Sequence, residues 1–288
     1  MWRSGGNGKR GKWFWGSLAL VLAISLALPG PTPGWASSAD NNLAIGATII
    51  GVIGTAAIAY GLWENSPGRQ GQPRYLNGEF YVGGFLGASF VPDTSWKYIQ
   101  GFGGNVTAKN VRYQPGVDAG LKMGYFLNSY PWFGMELETN FTRNDVRSQQ
   151  ASLSRSVGGF ASATLKSDDF YVWTNAFKFI ARYCFLPDSD VPFGRLQPYI
   201  GVWPGFVVIY AKHDAAKNFS LEVQGGVRYM MLKNVSAFVE YKYSKQWNVE
   251  LELQGLWALP PNPGGLGQGT TQFDFDSHKV VAGVAYHF

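Results

Sequence analysis

Four segments of the chain alternate apolar and polar residues over nine to eleven consecutive positions, namely 117–125, 133–142, 219–229 and 235–243. In the second segment, one face carries Phe133, Met135, Leu137, Thr139 and Phe141, and the other carries Gly134, Glu136, Glu138, Asn140 and Thr142. A period of two indicates β-strands, and no helical stripe fits these segments. Because 16% of the residues are aromatic and only 15% are charged, disorder is excluded as well.

The alternation leaves the environment open, because strands with one apolar face occur in soluble sandwiches as well as in membrane barrels. The ends of the strands are more informative, since aromatic residues cluster there around two turns. These residues are Tyr125, Phe126, Tyr130, Trp132 and Phe133 at one turn, and Tyr183, Phe185 and Phe193 at the other. Aromatic rings are enriched at the headgroup level of membranes, so the ends favour a membrane barrel.

Turn signals divide residues 78–288 into eight strands, at about 79–91, 111–126, 132–144, 168–185, 196–211, 218–231, 235–250 and 272–288. The connections 127–131, 186–195 and 232–234 are short, whereas 92–110, 145–167 and 251–271 are long, and 212–217 is an exception to this alternation. The predicted fold is all-β: an eight-stranded antiparallel transmembrane up-and-down β-barrel with long loops at one end. Pro198 and Pro204 predict an edge or a bulge in their strand.

The N-terminal region predicts export. Residues 1–12 carry four positive charges, residues 13–28 form an apolar run, and Gly34-Trp35-Ala36 provides a small-x-small cleavage site. This pattern is typical of a signal peptide over 1–36, with an uncleaved membrane anchor as the alternative. Without these residues the formal net charge falls from +5 to +1, which argues against a nucleic-acid partner.

A second apolar segment lies at 43–63, within a region (37–77) that ends in a polar linker. The segment has no charge, and as a helix it would be about 31 Å long, enough to cross a bilayer. A stripe of small residues would permit close helix contact; it consists of Ala47, Gly51, Thr55 and Ala59. The segment is predicted either to span a membrane or to pack on something else, with a second copy or a helical partner as the candidate contact.

The last strand and the segment 225–244, GGVRYMMLKNVSAFVEYKYS, resemble the OmpA-like eight-stranded outer-membrane barrels, the small "porin family" barrels. The resemblance implies insertion in the outer membrane of a Gram-negative bacterium after Sec-type export, with outer-membrane lipid as a partner. It also implies that the C-terminal strand is the signal presented to the barrel assembly machinery. The positions of that signal are Val280, Ala282, Val284, Tyr286 and Phe288.

If the apolar faces meet lipid, the polar faces meet inside the barrel. By parity the interior acids are Asp118, Glu136, Glu138, Glu222 and Glu240, and the interior bases are Lys122, Lys178, Arg182, Arg228, Lys242 and Lys279. An eight-stranded barrel has an interior just wide enough for its side chains, so a packed ion-pair core is predicted in place of a channel. The expected function is structural or surface-interacting, with a small-solute porin as the alternative.

Catalysis is not expected from the sequence. The three histidines, His213, His278 and His287, have no serine two residues away on the same face, as an outward-facing His-x-Ser hydrolase pair would require. A lipid-modifying outer-membrane enzyme is the second alternative. Cys184 is the one cysteine, which excludes an intramolecular disulfide and a CxxC pair, and no metal or cofactor site is predicted.

Overall fold

The computed structural model describes residues 78–98, 106–155, 160–211, 214–252, 257–258 and 270–288. The predicted signal peptide, the apolar segment 43–63 with its small-residue stripe, and the linker lie outside these residues. Within the described part of the chain, no helix has the length and apolar character needed to cross a membrane.

All regular elements among the described residues are strands. They are β1 (Glu79–Phe90), β2 (Thr94–Tyr98), β3 (Val106–Val111), β4 (Gly116–Phe126), β5 (Phe133–Val146), β6 (Gln149–Arg155), β7 (Phe160–Leu165), β8 (Asp168–Arg182), β9 (Leu196–Tyr210), β10 (Ala215–Leu232), β11 (Val235–Glu252), β12 (Trp257–Ala258) and β13 (Thr270–His287).

Eight of these strands form a closed antiparallel ring in the order β1-β4-β5-β8-β9-β10-β11-β13. The ring closes between its first and last strands, which pair from Tyr81 opposite His287 to Phe90 opposite His278. Closure removes the free edges that an open sheet of this length would expose. The predicted antiparallel eight-stranded barrel is therefore confirmed.

The predicted strand 111–126 is wrong at its start. β3 ends at Val111 and β4 begins at Gly116, so the chain leaves one strand and enters another between them. Just before this break, Asn110 has a positive φ of 60°, a conformation that asparagine tolerates better than most residues. The alternation in the sequence continues across the break, which is why it suggested a single strand.

The predicted edge or bulge at Pro198 and Pro204 is also wrong. β9 pairs with β8 on one side, and on the other it pairs with β10 in one unbroken register from Leu196 to Tyr210. Both prolines point to the outside of the ring, and the pairing with β8 skips the positions around Pro204 without a change of register. A closed ring has no edge strand. The two prolines lack an N–H group to donate, and β9 nevertheless keeps its register with both neighbours.

Two of the predicted long loops are largely strands. The connection 92–110 contains β2 and most of β3, and 145–167 contains β6 and β7. The main sheet continues from β13 through β2, β3, β6 and β7 to β12, which lies in the connection between β11 and β13. We call β2, β3, β6 and β7 the cap. The short turns 127–132 and 233–234 lie at the other end of the barrel, the turn end.

Along the strands, the apolar and the polar residues change sides between the inside and the outside of the barrel. On β13 near the turn end, the outward residues Val280 and Val284 are apolar and exposed, while Lys279 and His287 are buried inside. Nearer the cap the pattern inverts. There the outward residues are Gln272 and Asp274, and the buried ones are Phe273 and Phe275. β11 changes in the same way, since Glu240 and Lys242 face inward below and Val249 and Leu251 face inward above. The inversion divides the barrel into a lower half with an apolar outside and an upper half with an apolar inside.

Candidate functional site: the barrel interior

The middle of the lower half is crossed by an ion pair between opposite strands. Lys242 on β11 donates to Glu138 Oε1 on β5 at 2.7 Å, and these two strands lie four positions apart in the ring of eight. Lys178 on β8 contacts the other oxygen of Glu138 at 2.5 Å. Glu138 therefore binds one cation from the neighbouring strand and one from the opposite side of the lumen.

Three further charged groups complete this cluster, which we call the ion-pair layer: Glu136, Glu138, Glu240, Lys122, Lys178 and Lys242. Lys122 on β4 donates to Glu240 at short range and lies 3.6 Å from both Glu136 and Glu138. Lys242 also lies 3.4 Å from Glu240, and Lys178 lies 3.5 Å from Glu136. All six side chains are almost completely buried, and three carboxylates face three ammonium groups.

Aromatic side chains fill the space around the ion-pair layer. The Tyr81 hydroxyl donates to Glu136 Oε2 at 2.5 Å, and the Tyr199 hydroxyl donates to Glu240 Oε1 at 2.5 Å. The Lys178 ammonium lies 4.1 Å from the Trp203 ring centroid, and Lys242 lies 3.6 Å from that of Phe85. Hydrogen bonds and ring contacts of this kind compensate charges that have been removed from water.

Sequence reasoning did not identify these aromatic partners. In β1 the sequence EFYVGGFLGASF does not alternate, because Phe80 and Tyr81 are adjacent and four of its residues are Gly or Ala. Only the pairing of β1 with β4 and β13 shows that Tyr81 and Phe85 point inward.

The other predicted interior charges lie above or below the ion-pair layer. Above it, Lys279 lies 3.5 Å from Asp118, which also accepts hydrogen bonds from Asn140 at 2.7 Å and Thr142 at 2.5 Å. Glu222 accepts hydrogen bonds from Ser220 and Ser244, both at 3.2 Å.

Arg228 lies below the ion-pair layer, with its guanidinium 4.2 Å from the Tyr81 ring centroid. Neither Arg228 nor Glu222 forms an ion pair with a described residue. The eleven predicted residues thus all lie inside the barrel, but these two are held by neutral groups.

A separate cluster lies at the turn end, where β1 and β13 close the ring. Arg182 binds the Glu79 carboxylate with two hydrogen bonds, of 3.0 and 2.6 Å. His287 Nδ1 lies 2.7 Å from Glu79 Oε1, and His287 Nε2 lies 2.8 Å from Ser236 Oγ. The sequence did not predict this cluster, because Glu79 and His287 are 208 positions apart and meet only through barrel closure.

The order serine, histidine, carboxylate in this cluster is also that of a hydrolytic triad. A nucleophilic serine needs access to substrate, however, and Ser236 is completely buried. The carboxylate of Glu79 is also shared with Arg182, which reduces its effect on the imidazole. The arrangement is suited to holding β1, β8, β11 and β13 together at the closure.

The upper half of the lumen is an apolar core that includes the underside of the cap. Trp96 of β2 is completely buried, and its ring centroid lies 6.1 Å from that of Phe170 and 5.4 Å from that of Phe273. Tyr113 accepts a hydrogen bond from Trp96 Nε1 at 3.1 Å, and burial raises the pKa of its hydroxyl to about 12. The cap strands therefore continue the barrel wall, and their inward side chains extend its apolar core.

The residues of the predicted assembly signal line one face of β13. Val280, Ala282, Val284 and Tyr286 point outward and are exposed. The Phe288 N–H donates to the Phe80 carbonyl at 2.9 Å, and the two rings lie 5.6 Å apart. Among the described residues, no group of three or more His, Cys, Asp or Glu side chains is placed to hold a metal ion.

A closed ring of antiparallel strands whose lower half has an apolar outer surface and buried ion pairs inside defines a transmembrane barrel of the outer-membrane type. The chain matches the model of the outer membrane protein beta-barrel domain over residues 66–288, and it belongs to that family. The protein is thus an outer-membrane β-barrel protein.

Solved structures similar to this chain include three outer-membrane proteins. OprG from Pseudomonas aeruginosa is 16% identical, with 74% of this chain and 96% of OprG covered and a TM-score of 0.48. For Neisserial surface protein A the identity is 15%, the coverage 73% and 97%, and the TM-score 0.40. For Ail, the attachment invasion locus protein of Yersinia pestis, these values are 14%, 74% and 99%, and 0.35. No curated protein matches the chain.

Proposed function

We propose that the protein is a filled, non-conducting outer-membrane barrel that serves as a scaffold for its cap, which contacts partners at the cell surface. The observation that carries the proposal is the pair of Lys242 and Glu138, 2.7 Å apart, between opposite strands of the ring. An open lumen would keep such groups apart and hydrated.

The layers on either side of this pair support the same function. Below it, Arg182, Glu79 and His287 join the closure of the ring. Above it, the apolar core continues from Phe273 and Phe275 into the buried Trp96 of the cap. A solute would have to displace both charged and apolar contacts to pass. Conduction of small solutes, as by a porin, is therefore the outcome of the bilayer test below that would contradict the proposal.

Planar lipid bilayers test the filled lumen directly. The purified full-length protein is expected to give no discrete conductance steps. Insertion can be verified in the same preparation by the mobility shift of folded barrels on unheated gels. Reproducible steps from inserted wild-type protein would contradict the filled lumen and favour a small-solute porin.

The exposed side of the cap suggests the chemistry of a partner. The four cap strands contain three basic residues, Lys97, Lys109 and Arg155, and no acidic residue. Lys97 and Lys109 are exposed, as is Lys166 just after β7. The cap strands themselves carry only positive charge, and the acids Asp93 and Asp169 lie at their margins. This charge favours an anionic surface ligand, such as a sulfated or phosphorylated polysaccharide.

Binding of dextran sulfate tests this choice. The double variant Lys97→Glu with Lys109→Glu is expected to weaken binding, and added salt should weaken wild-type binding, because the contacts are exposed charges. Lys217→Glu, at an exposed position of β10 outside the cap, is the matched control. Equal losses in the double variant and the control would assign the binding to overall charge and remove the role of the cap.

The proposal includes no catalysis. A lipid-modifying enzyme would need an accessible nucleophile or acid–base pair, whereas Ser236 and Glu138 are buried. We also assign export to the signal peptide at 1–36 through a Sec-type route, and assembly to recognition of β13. Tyr286→Asp is expected to slow insertion by the assembly machinery, whereas Gln272→Asp at the cap end of the same strand is not.

A further inference from the structure

The outer surface of the barrel is unequal only in part of its height. The outward residues of β10, β11 and β13 are well exposed, with Phe219 at 70%, Val239 at 56% and Val280 at 48%, and so are those of β8 and β9 towards the turn end, with Phe179 at 44% and Ile200 at 67%. On β8 the residues Phe170, Val172, Thr174 and Lys178 point inward, so Trp173 between them points outward. Even so, Trp173 is only 7% exposed, and the outward Val208 of β9 is only 3% exposed.

These two residues lie at the centre of an apolar surface on the outside of β4, β5, β8 and β9. We call this surface the outer patch and define it as Met123, Phe141, Trp173, Phe206, Val208 and Tyr210. Trp173 Nε1 donates to Thr139 Oγ1 at 3.0 Å, which fixes the indole ring against the barrel wall. Outward charged residues occupy the cap end on both sides of the barrel: Glu250 and Asp274 on β11 and β13, and Arg143 and Asp169 on β5 and β8, where they border the outer patch.

Asn175 lies on the same outward face as Trp173, two residues away. Its side-chain Nδ2 is buried and has no hydrogen-bond partner among the described residues. A polar group without a partner is costly in a lipid environment. On this face the Trp173 indole is buried and the Asn175 amide nitrogen lacks a hydrogen-bond partner among the described residues. This combination is unusual for a surface covered by lipid alone.

We propose that residues 43–63 of the same chain form a helix that lies along the outer patch. Nothing in these 21 residues is charged, and their length as a helix, about 31 Å, is sufficient for the apolar band of a barrel, which is about 25 Å tall. The small residues Ala47, Gly51, Thr55 and Ala59 would let the helix backbone approach the aromatic rings of the patch closely. In this arrangement the stripe faces the patch, and Thr55 places a hydroxyl group within it.

The connection between the segment and the barrel is long enough for this contact. Residues 64–77 can span at most about 46 Å when fully extended. They lead to Glu79 at the turn end of β1, and β8 is three strands from β1 in the ring, or about 14 Å around the wall. The segment can thus enter at the turn end and run towards the cap.

The same connection favours the chain's own segment over that of a second copy. A short tether holds the segment near its own barrel at an effective concentration in the millimolar range, far above the concentration of a second protomer in a membrane of mixed composition. The contact would also explain why the chain has an apolar segment that a closed barrel does not require.

Cysteine crosslinking in the full-length protein in lipid vesicles tests the proposal. In a Cys184→Ser background, each of Ala47→Cys, Gly51→Cys and Thr55→Cys is combined with Phe141→Cys in the outer patch. The matched control is Tyr241→Cys, an exposed outward residue on β11, the strand opposite β5. Glu138, three residues before Phe141, contacts Lys242, the residue after Tyr241, across the lumen, so the two sites differ in height by no more than about 13 Å.

A short bismaleimide is expected to link at least one segment position to Phe141→Cys within one chain, with a yield on the order of tenfold above that for Tyr241→Cys. Crosslinks of dimer mass would overturn the proposal in favour of a second copy. Equal yields at the two sites, or no product from folded protein at either, would also overturn it.

Deletion of 43–63 provides a second measurement that does not depend on crosslink geometry. The deletion should increase the rate at which a spin label at Phe141→Cys collides with oxygen dissolved in the lipid. The collision rate of a label at Tyr241→Cys should not change. An unchanged label at Phe141→Cys in a folded deleted barrel would contradict the contact.

Discussion

The lower and upper halves of this barrel are filled by opposite chemistries. In the lower half the ion-pair layer occupies the interior and valines and tyrosines cover the outside. In the upper half Phe273, Phe275 and Trp96 fill the interior, and acids such as Asp274 lie outside. The difference indicates where the surroundings change, because lipid outside requires apolar outward residues and water outside allows an ordinary apolar core. The cap continues this upper half and shares its apolar core.

The largest effect in the lower half is expected from Glu138→Ala. The substitution removes the carboxylate that binds both Lys178 and Lys242 and leaves buried cations without their nearest partner. We expect a loss of ~3–5 kcal/mol in the free energy of unfolding, measured by urea titration in liposomes.

Glu222→Ala is the matched control, because Glu222 is equally buried but is held by Ser220 and Ser244 without a cation. Its loss should be smaller, ~1–3 kcal/mol. Equal losses for the two variants would mean that the lower half is held by packing and not by its ion pairs.

The corresponding test of the upper half is Trp96→Ala. Trp96 packs on Phe170 and Phe273, so its removal creates a cavity under the cap and should cost ~3–5 kcal/mol of local stability. Hydrogen exchange should show faster exchange of the β2 and β3 amides, while the amides of the lower half stay protected. Lys97→Ala, the exposed neighbour on the same strand, should leave exchange unchanged. Faster exchange throughout the barrel would show that the two halves are not separate.

The outer surfaces of the two halves are expected to differ in how much an added charge destabilises the barrel. Leu137→Lys places a charge on the lipid side of β5 beside Glu138 and should cost ~2–4 kcal/mol if it lies near the midplane. Gln272→Lys, on the outside of β13 near the cap, should be close to neutral. Urea titration of both variants in liposomes checks this. A neutral Leu137→Lys together with a severe Gln272→Lys would reverse the assignment of the two halves.

The smallest effect concerns pH and the cap. The hydroxyl of Tyr113 has a pKa of about 12 in the folded protein, above its ordinary value of 10.0, because burial disfavours the anion. Its contribution to stability is thus complete below about pH 10 and is lost as the pH rises towards 12. Between these values, the urea midpoint of the wild type should fall more than that of Tyr113→Phe. Parallel curves for the two proteins would show that ionisation of Tyr113 has no part in cap stability.

The sequence predicted the barrel well because lipid imposes an apolar outward face on the lower half of most of the long strands. The inward positions of Glu136, Glu138 and Lys242 follow from that alternation alone. The cap could not be predicted, since β6 has only Ala151 and Leu153 as its apolar face, too little to distinguish from loop composition. The cluster of Glu79, Ser236 and His287 depends on closure of the ring between distant strands, which no local pattern records.

Site-directed spin labelling along β13 tests the inversion most directly. Single labels at positions 272, 274, 280 and 284, in a Cys184→Ser background, all point outward from the same strand. Labels at 280 and 284 should collide mainly with oxygen dissolved in lipid, and labels at 272 and 274 mainly with a water-soluble nickel reagent. If the labels at 272 and 274 behaved like those at 280 and 284, the outer surface would be lipid-covered along its whole length and the division into two halves would be wrong.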